Sequence, residues 1–302
     1  MKIFMIILAA VLALILILLL FAGNYLCSYS MGVKRMSLPD ARKWQEDHYD
    51  LSWYDPLEKT DYTVTSYDGY VLHAQFLKNP AETKKYIIIT HGYTDNRFGS
   101  LKYTKMYLDH GYNVILYDLR AHGLNELTYV TYSVRESRDL DVMMTDSRKR
   151  YPDMEVLGLQ GESLGSATSI AVLKYRKDMD FIVADCGFAE IIPVLKVGLR
   201  SLHLPTFFVY IAGIFAKLRY GLFYSEMRPI DSLPGNTVPI LFMHGADDDF
   251  ILPYHSEMMQ AATEGCSELH LIPGAKHAES MIKAPEEYRR IVGAFLTKIG
   301  KE

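Results

Sequence analysis

The chain has 302 residues, of which 49% are hydrophobic and 23% charged, and its formal net charge is -4. This mildly acidic balance gives no reason to expect a nucleic-acid-binding protein, which would need a basic face. The chain is too long for a peptide toxin and too apolar for a disordered tail. Its three cysteines (Cys27, Cys186 and Cys266) make no disulfide framework, and no two have the spacing of a metal site.

The first predicted element is a membrane span. Residues 3–22 are consecutive apolar residues without a charge, and at 1.5 Å per residue they would span about 30 Å, the thickness of a bilayer core. We therefore expect residues 1–22 to form an uncleaved transmembrane anchor. A cleaved signal peptide is the alternative, but the run is longer than a usual signal core and Ala22-Gly23-Asn24 is a poor cleavage site.

Residues 23–60 are predicted to be a connecting segment, which is polar and rich in tyrosine and tryptophan. Basic residues follow the span more densely than they precede it, which by itself favours a cytoplasmic body. These residues are Lys34, Arg35, Arg42 and Lys43, against Lys2 before the span.

From Asp61 onward, strands alternate with helices. Short apolar runs predict strands at 86–90, 113–118, 156–160, 181–184, 239–243 and 268–272, after a hairpin at 62–65 and 70–76. Helices are predicted at 101–110, 139–150, 164–175, 256–263 and 286–298. The pattern predicts an α/β domain over residues 61–302, with a mostly parallel sheet covered by helices on both faces.

Residues 188–234 interrupt this alternation. The segment is rich in apolar and aromatic residues and contains no convincing strand. We expect a helical insertion that covers the site as a lid.

Gly161-Glu162-Ser163-Leu164-Gly165 is a G-x-S-x-G motif. It follows a predicted strand and opens a predicted helix, which is the context of a nucleophile elbow. The alternative, a buried loop serine, does not require this context. Ser163 is the predicted nucleophile.

A serine hydroxyl needs a general base, and in an open α/β sheet the base should follow a strand. His91, His122, His244 and His277 meet that condition. His91 and His244 are each followed by glycine and are interpreted as turn formers, and His122 as structural. His277, between the last strand and the last helix, is the predicted base.

The base needs a carboxylate to orient it, and Asp247-Asp248-Asp249 follows the strand at 239–243. Spacing from His244-Gly245 favours Asp248, with Asp249 as the runner-up. The oxyanion formed during acyl transfer needs two backbone N–H donors. Leu164 and Tyr93 are predicted to supply them.

These motifs, in this order, resemble the α/β-hydrolase superfamily. The similar landmarks are His91-Gly92, the turn from Asp118 to Gly123, the elbow, His244-Gly245-Ala246-Asp247-Asp248 and His277. The chain most resembles bacterial membrane-anchored serine hydrolases of the esterase-like or serine-aminopeptidase-like kind. The resemblance implies an α/β-hydrolase fold and an extracytoplasmic body, against the charge bias.

We therefore expect a membrane-anchored serine hydrolase that cleaves small-molecule carboxylic esters through an acyl-enzyme. An aminopeptidase-like amide hydrolase remains an alternative, for which Glu190 or Glu226 would bind the substrate amine. A non-catalytic binding protein that keeps the fold is the other. Neither a metal nor an organic cofactor is expected, and the oligomeric state stays open.

Overall fold

The computed structural model describes all 302 residues and contains one eight-stranded sheet, in the order β1-β2-β4-β3-β5-β6-β7-β8. The β1–β2 and β2–β4 pairs are antiparallel and the other pairs are parallel. The strands are β1 Lys59–Thr65, β2 Val71–Leu77, β3 Lys85–Thr90, β4 Tyr112–Tyr117, β5 Val156–Glu162, β6 Phe181–Asp185, β7 Ile240–Gly245 and β8 Ser267–Ile272. The predicted mostly parallel sheet is confirmed.

Ten α-helices accompany the sheet. They are α1 Lys2–Met31, α2 Leu38–His48, α3 Leu101–Asp109, α4 Val134–Arg150, α5 Leu164–Ala171, α6 Ile191–Ser201, α7 Phe208–Tyr220, α8 Tyr254–Ala262, α9 Ser280–Lys283 and α10 Pro285–Lys298.

The central strands are buried on both faces because successive side chains point to opposite sides of a sheet. In β3, Ile88 packs in the layer that contains α4 and α5. Its neighbours Ile87 and Ile89 pack on the opposite side, with α3 and α10. This is why the strand appears in the sequence as a continuous apolar run.

Helix α1 extends nine residues beyond the predicted anchor boundary at residue 22. Most residues up to Phe21 are exposed, whereas Gly23, Cys27 and Met31 are buried at a spacing of four, one face of a helix. The helix is long and apolar enough to cross a membrane, and its last turns are part of the packed body.

The insertion lies between β6 and β7 and is helical, as predicted. It holds α6 and α7 and two short 3₁₀ turns, and α7 packs along the end of α1. Helix α2 has no clear apolar period in the sequence. It begins at an N-cap serine, Ser37, whose hydroxyl accepts a hydrogen bond from the Asp40 amide.

Candidate active site

Ser163 lies at the sharp turn between β5 and α5. Its φ of +53° is in the left-handed region that L-residues rarely adopt. The flanking glycines make the turn possible: a Cβ on Gly161 would lie 2.3 Å from the Gly165 carbonyl oxygen, and one on Gly165 would lie 2.0 Å from the Thr90 carbonyl oxygen. The chain therefore presents Ser163 at the carboxyl end of the sheet in the strained elbow that the motif predicts.

The structure brings Ser163, His277 and Asp248 into one hydrogen-bonded line, although they come from loops after three different strands. His277 Nε2 is 2.9 Å from Ser163 Oγ. His277 Nδ1 is 2.7 Å from Asp248 Oδ2. Both distances are within the reach that proton transfer and base orientation require.

Asp248 is the buried member of its run, whereas Asp247 and Asp249 are exposed. Its Oδ1 accepts hydrogen bonds from the Phe250 and Ile251 amides at 3.0 and 2.9 Å. Burial alone would raise the pKa of Asp248, but hydrogen bonds to the histidines on its other oxygen outweigh burial and hold the pKa well below its usual range. The carboxylate therefore stays ionised.

His244 is a second histidine at this carboxylate, and sequence reasoning assigned it only to a turn. Its Nε2 lies 3.2 Å from Asp248 Oδ2 and 2.7 Å from the Ile251 carbonyl oxygen. Its Nδ1 is 2.7 Å from Ser256 Oγ. The side chain is fully buried, so it positions the acid loop rather than meeting solvent. The His-Gly-x-x-Asp spacing was the sequence signal that could have identified it.

The two residues predicted to supply the oxyanion donors border the same cavity as Ser163. Tyr93 and Leu164 line the cavity that contains Ser163, and neither backbone N–H donates to a protein acceptor. The loop before Tyr93 passes close by, since a Cβ on Gly92 would lie 3.5 Å from Ser163 Cβ. Two free N–H groups beside a nucleophile can stabilise a developing negative charge.

An apolar cavity of about 340 Å³ opens on one side of Ser163. Helices α6 and α7 of the insertion line it, and so do the last turns of α1. Sixteen of its 21 lining residues are hydrophobic. Such a space suits an acyl chain.

A second cavity of about 420 Å³ reaches Ser163 and His277, and it is more polar than the first, because only six of its 16 lining residues are hydrophobic. Asp95, Lys102 and Glu162 contribute charged groups, and Trp44 and His48 of α2 line its edge. Burial raises the pKa of Asp95 to about 6, and the nearby Glu162 adds to this effect.

The other histidines and glutamates that were candidates from the sequence form contacts outside the triad. His91 Nε2 accepts the Leu119 amide hydrogen and His122 Nε2 accepts that of Thr94. Burial lowers the pKa of both rings, to about 4 and about 3, so they stay neutral. Glu190 pairs with Arg228 and Glu226 with Lys217, and neither glutamate lines a cavity at Ser163. No group of three or more histidine, cysteine or acidic side chains could hold a metal ion.

The chain is similar in sequence to a hydrolase family and to one bacterial protein. The profile of the family described as serine aminopeptidase, S33, matches residues 81–222. A Bacillus subtilis protein, the uncharacterized YqkD, is 32% identical over 270 residues, which cover 87% of this chain and 88% of that protein.

Solved structures show the same fold. The esterase Pf2001 of Pyrococcus furiosus superposes with a TM-score of 0.66 at 24% identity, over 80% of this chain and 91% of that one. The acylaminoacyl peptidase of Pyrococcus horikoshii superposes with a TM-score of 0.62 at 13% identity, over 82% of this chain and 42% of that one.

Proposed function

The chain belongs to the α/β-hydrolase superfamily, and on this premise we propose that it is a membrane-anchored serine hydrolase of carboxylic esters. The observation that carries the proposal is the hydrogen-bonded line from Ser163 through His277 to Asp248, with 2.9 and 2.7 Å between the paired atoms. It joins a nucleophile, a base and an acid that orients the base.

In the first half of the reaction, Ser163 Oγ attacks the ester carbonyl carbon while its proton passes to His277 Nε2. Asp248 keeps the imidazole in the required tautomer and stabilises its positive charge. The N–H groups of Tyr93 and Leu164 donate to the oxygen that becomes negative. The ester C–O bond then breaks, and His277 returns the proton to the departing alcohol.

In the second half, water attacks the acyl-enzyme. His277 takes a proton from the water and gives it to Ser163 Oγ as the acyl–serine bond breaks. The products are a carboxylic acid and the free enzyme. The two cavities that meet at Ser163 suit the two parts of an ester: an acyl group in the apolar cavity and an alcohol in the polar one.

An aminopeptidase-like activity is the second candidate, supported by the description of the matching family. It would need an acidic side chain to bind the substrate amine. Glu190 and Glu226 are paired elsewhere, whereas Asp95, Glu162 and Glu279 line the second cavity. Glu162 is itself paired with Lys102, and Glu279 accepts a hydrogen bond from the Lys276 amide. Asp95 forms no ion pair, but burial opposes its ionisation. Because the acyl side is also strongly apolar, ester hydrolysis is the better fit.

The anchor is α1, whose first twenty residues or so are exposed and apolar. We propose that it stays attached, because Gly23, Cys27 and Met31 pack into the body. The resemblance to membrane-anchored hydrolases favours a body outside the cytoplasm. A protease-protection assay on intact cells tests this orientation: an extracytoplasmic body is digested and a cytoplasmic one is protected.

The direct test is labelling by a fluorophosphonate, which reacts with activated serines. The wild-type protein should be labelled and Ser163→Ala should not, while both unfold at similar urea concentrations. Ser163→Ala should also lose at least a thousandfold in hydrolysis of 4-nitrophenyl butanoate. Full activity in that variant, or a folded wild type that no probe labels, would exclude the proposal, and the latter result would favour a binding protein. Aminoacyl 4-nitroanilides hydrolysed faster than esters would favour the peptidase.

A further inference from the structure

A third cavity, which we call the outer cavity, adjoins the apolar cavity at Ser163. It has a volume of about 240 Å³ and all its lining residues are hydrophobic. Leu26, Tyr29 and Leu202 line both cavities, so the two spaces meet there. The outer cavity extends to Ala22, the last residue of the apolar run of α1. Apolar lining therefore extends from the serine to the point where the anchor leaves the body.

One wall of this passage is α1 itself, and the helix is fixed in place. A Cβ on Gly23 would lie 2.4 Å from Ile211 Cγ2, so α1 and α7 are in close contact. Arg219 of α7 donates to Ser28 Oγ at 2.6 Å and to Asn24 Oδ1 at 3.2 Å. The opening between α1 and the insertion is therefore bordered by helices that contact each other directly, rather than by a flexible connection.

The insertion also exposes an apolar face next to α1. Tyr210, Ile214 and Leu218 follow each other at intervals of four along α7 and are 56%, 53% and 75% exposed. Leu202 and Phe207, which precede α7 in the insertion, are also about half exposed. A contiguous apolar surface is costly in water. Because it continues the apolar surface of α1, the occupant that fits it is the hydrocarbon of the same bilayer.

We propose that the substrate is a long-chain fatty acyl ester resident in the bilayer, whose acyl chain enters between α1 and the insertion. This inference rests on the proposed serine-hydrolase function. The acyl chain moves through the outer cavity past Leu202 until the carbonyl carbon of the ester reaches Ser163. Ser163 Oγ then bonds to that carbon, the ester C–O bond breaks and the alcohol leaves with a proton from His277. Water releases the free fatty acid.

The test uses the full-length protein in phosphatidylcholine vesicles, with butanoyl and hexadecanoyl esters of the same fluorogenic alcohol. The wild type should prefer the hexadecanoyl ester. Leu202→Trp fills the junction of the two cavities and should lower the ratio of hexadecanoyl to butanoyl hydrolysis at least tenfold. Leu204→Asp places a charge in the outer cavity, which Leu204 lines, and should lower the ratio in the same direction.

Val71→Trp is the matched control, because Val71 is exposed on β2 and lines none of the cavities. It should leave the ratio within about twofold of wild type. Labelling by a small fluorophosphonate reports the folded, reactive fraction of every variant. If one of the two cavity variants fails to fold, the hydrolysis ratio of the other tests the proposal.

The outcomes separate the two proposals. A labelled wild type that prefers the butanoyl ester, or labelled cavity variants with an unchanged ratio, would overturn the entry route while the serine-hydrolase function stands. A folded wild type that is neither labelled nor active on either ester would overturn the proposed function and this inference with it.

Discussion

Lys102 forms an ion pair with Glu162, and both side chains are less than one-tenth exposed. Burial alone would lower the pKa of Lys102, but the Glu162 charge outweighs it and raises the pKa, so the lysine stays protonated. Glu162 also accepts a hydrogen bond of 2.5 Å from the Tyr103 hydroxyl. A buried, fully paired carboxylate thus directly precedes the proposed nucleophile in the chain.

Removing one member of the Lys102–Glu162 pair should therefore destabilise the folded state. Lys102→Met leaves the Glu162 carboxylate buried without its counter-charge and should lower the free energy of unfolding by about 3–5 kcal/mol. Urea unfolding measures this loss. The double variant Lys102→Met, Glu162→Gln should recover much of it, and a double variant that loses the sum of the two single effects would show that the pair is uncoupled.

Asp248→Asn should lower kcat for 4-nitrophenyl butanoate by roughly 10³–10⁴-fold, because an amide can favour the wrong tautomer of the base. The adjacent Asp249→Asn is the matched control, since Asp249 is exposed. It should stay within about threefold of wild type. The reverse ranking of the two variants would assign the orienting acid to Asp249.

Asp185 should make stability depend on pH. Burial raises its pKa to about 6, and the negative charge of Glu162 adds to the effect. Between pH 4 and pH 6 the folded state then binds more protons than the unfolded state, so the free energy of unfolding falls as the pH rises.

Asp185→Asn removes this dependence, and the amide NH₂ of the variant can donate to the Tyr103 hydroxyl oxygen, which lies 3.0 Å from Asp185 Oδ2 and donates its own proton to Glu162. The free energy of unfolding of the variant minus that of the wild type should increase by on the order of 2–3 kcal/mol from pH 4 to pH 7. Urea unfolding at both pH values measures the gain. Exposed Asp247→Asn should follow the wild-type pH profile, and an Asp185→Asn gain of the same size at both pH values would contradict the assignment.

Gly165→Ala should lower the free energy of unfolding by about 1–3 kcal/mol and reduce fluorophosphonate labelling, because the new Cβ meets the Thr90 carbonyl oxygen. Gly198→Ala is the opposite case. Gly198 lies in α6, nothing lies within 4 Å of the position of an added Cβ, and alanine there should stabilise the helix by about 0.5–1 kcal/mol. Thermal unfolding distinguishes the two. Equal effects would mean that the turn relaxes around the added methyl group.

The fold could be predicted because its signals are local. The buried strands appear as apolar runs, and the elbow needs only a strand, two glycines and a helix that are contiguous in the chain. The sequence could also indicate that Ser163 and His277 lie together, because both follow strands whose carboxyl ends share one edge of the sheet. Spacing favoured Asp248, and it is the one aspartate of its run that contacts His277.

The remaining features depend on contacts between distant segments. Lys102 would be taken for a surface lysine, and only the folded chain shows that Glu162 accompanies it into the interior. Cys27 and Met31 follow the apolar run, in the segment that the sequence predicts only as a connection, and the folded chain shows that they pack against the body. Helix α2 is mostly polar, and its sequence does not indicate that Trp44 and His48 line the second cavity. Only the position of the helix in the folded chain shows this.

Helix α1 runs without interruption from Lys2 to Met31 and is locked onto α7. With α1 in a bilayer as proposed, these contacts would hold the opening between α1 and the insertion at a constant height and orientation relative to the membrane. The proposed enzyme would then meet its substrate by diffusion in the plane of the bilayer. Its velocity should follow the mole fraction of ester among the lipids rather than the amount of ester per volume of suspension.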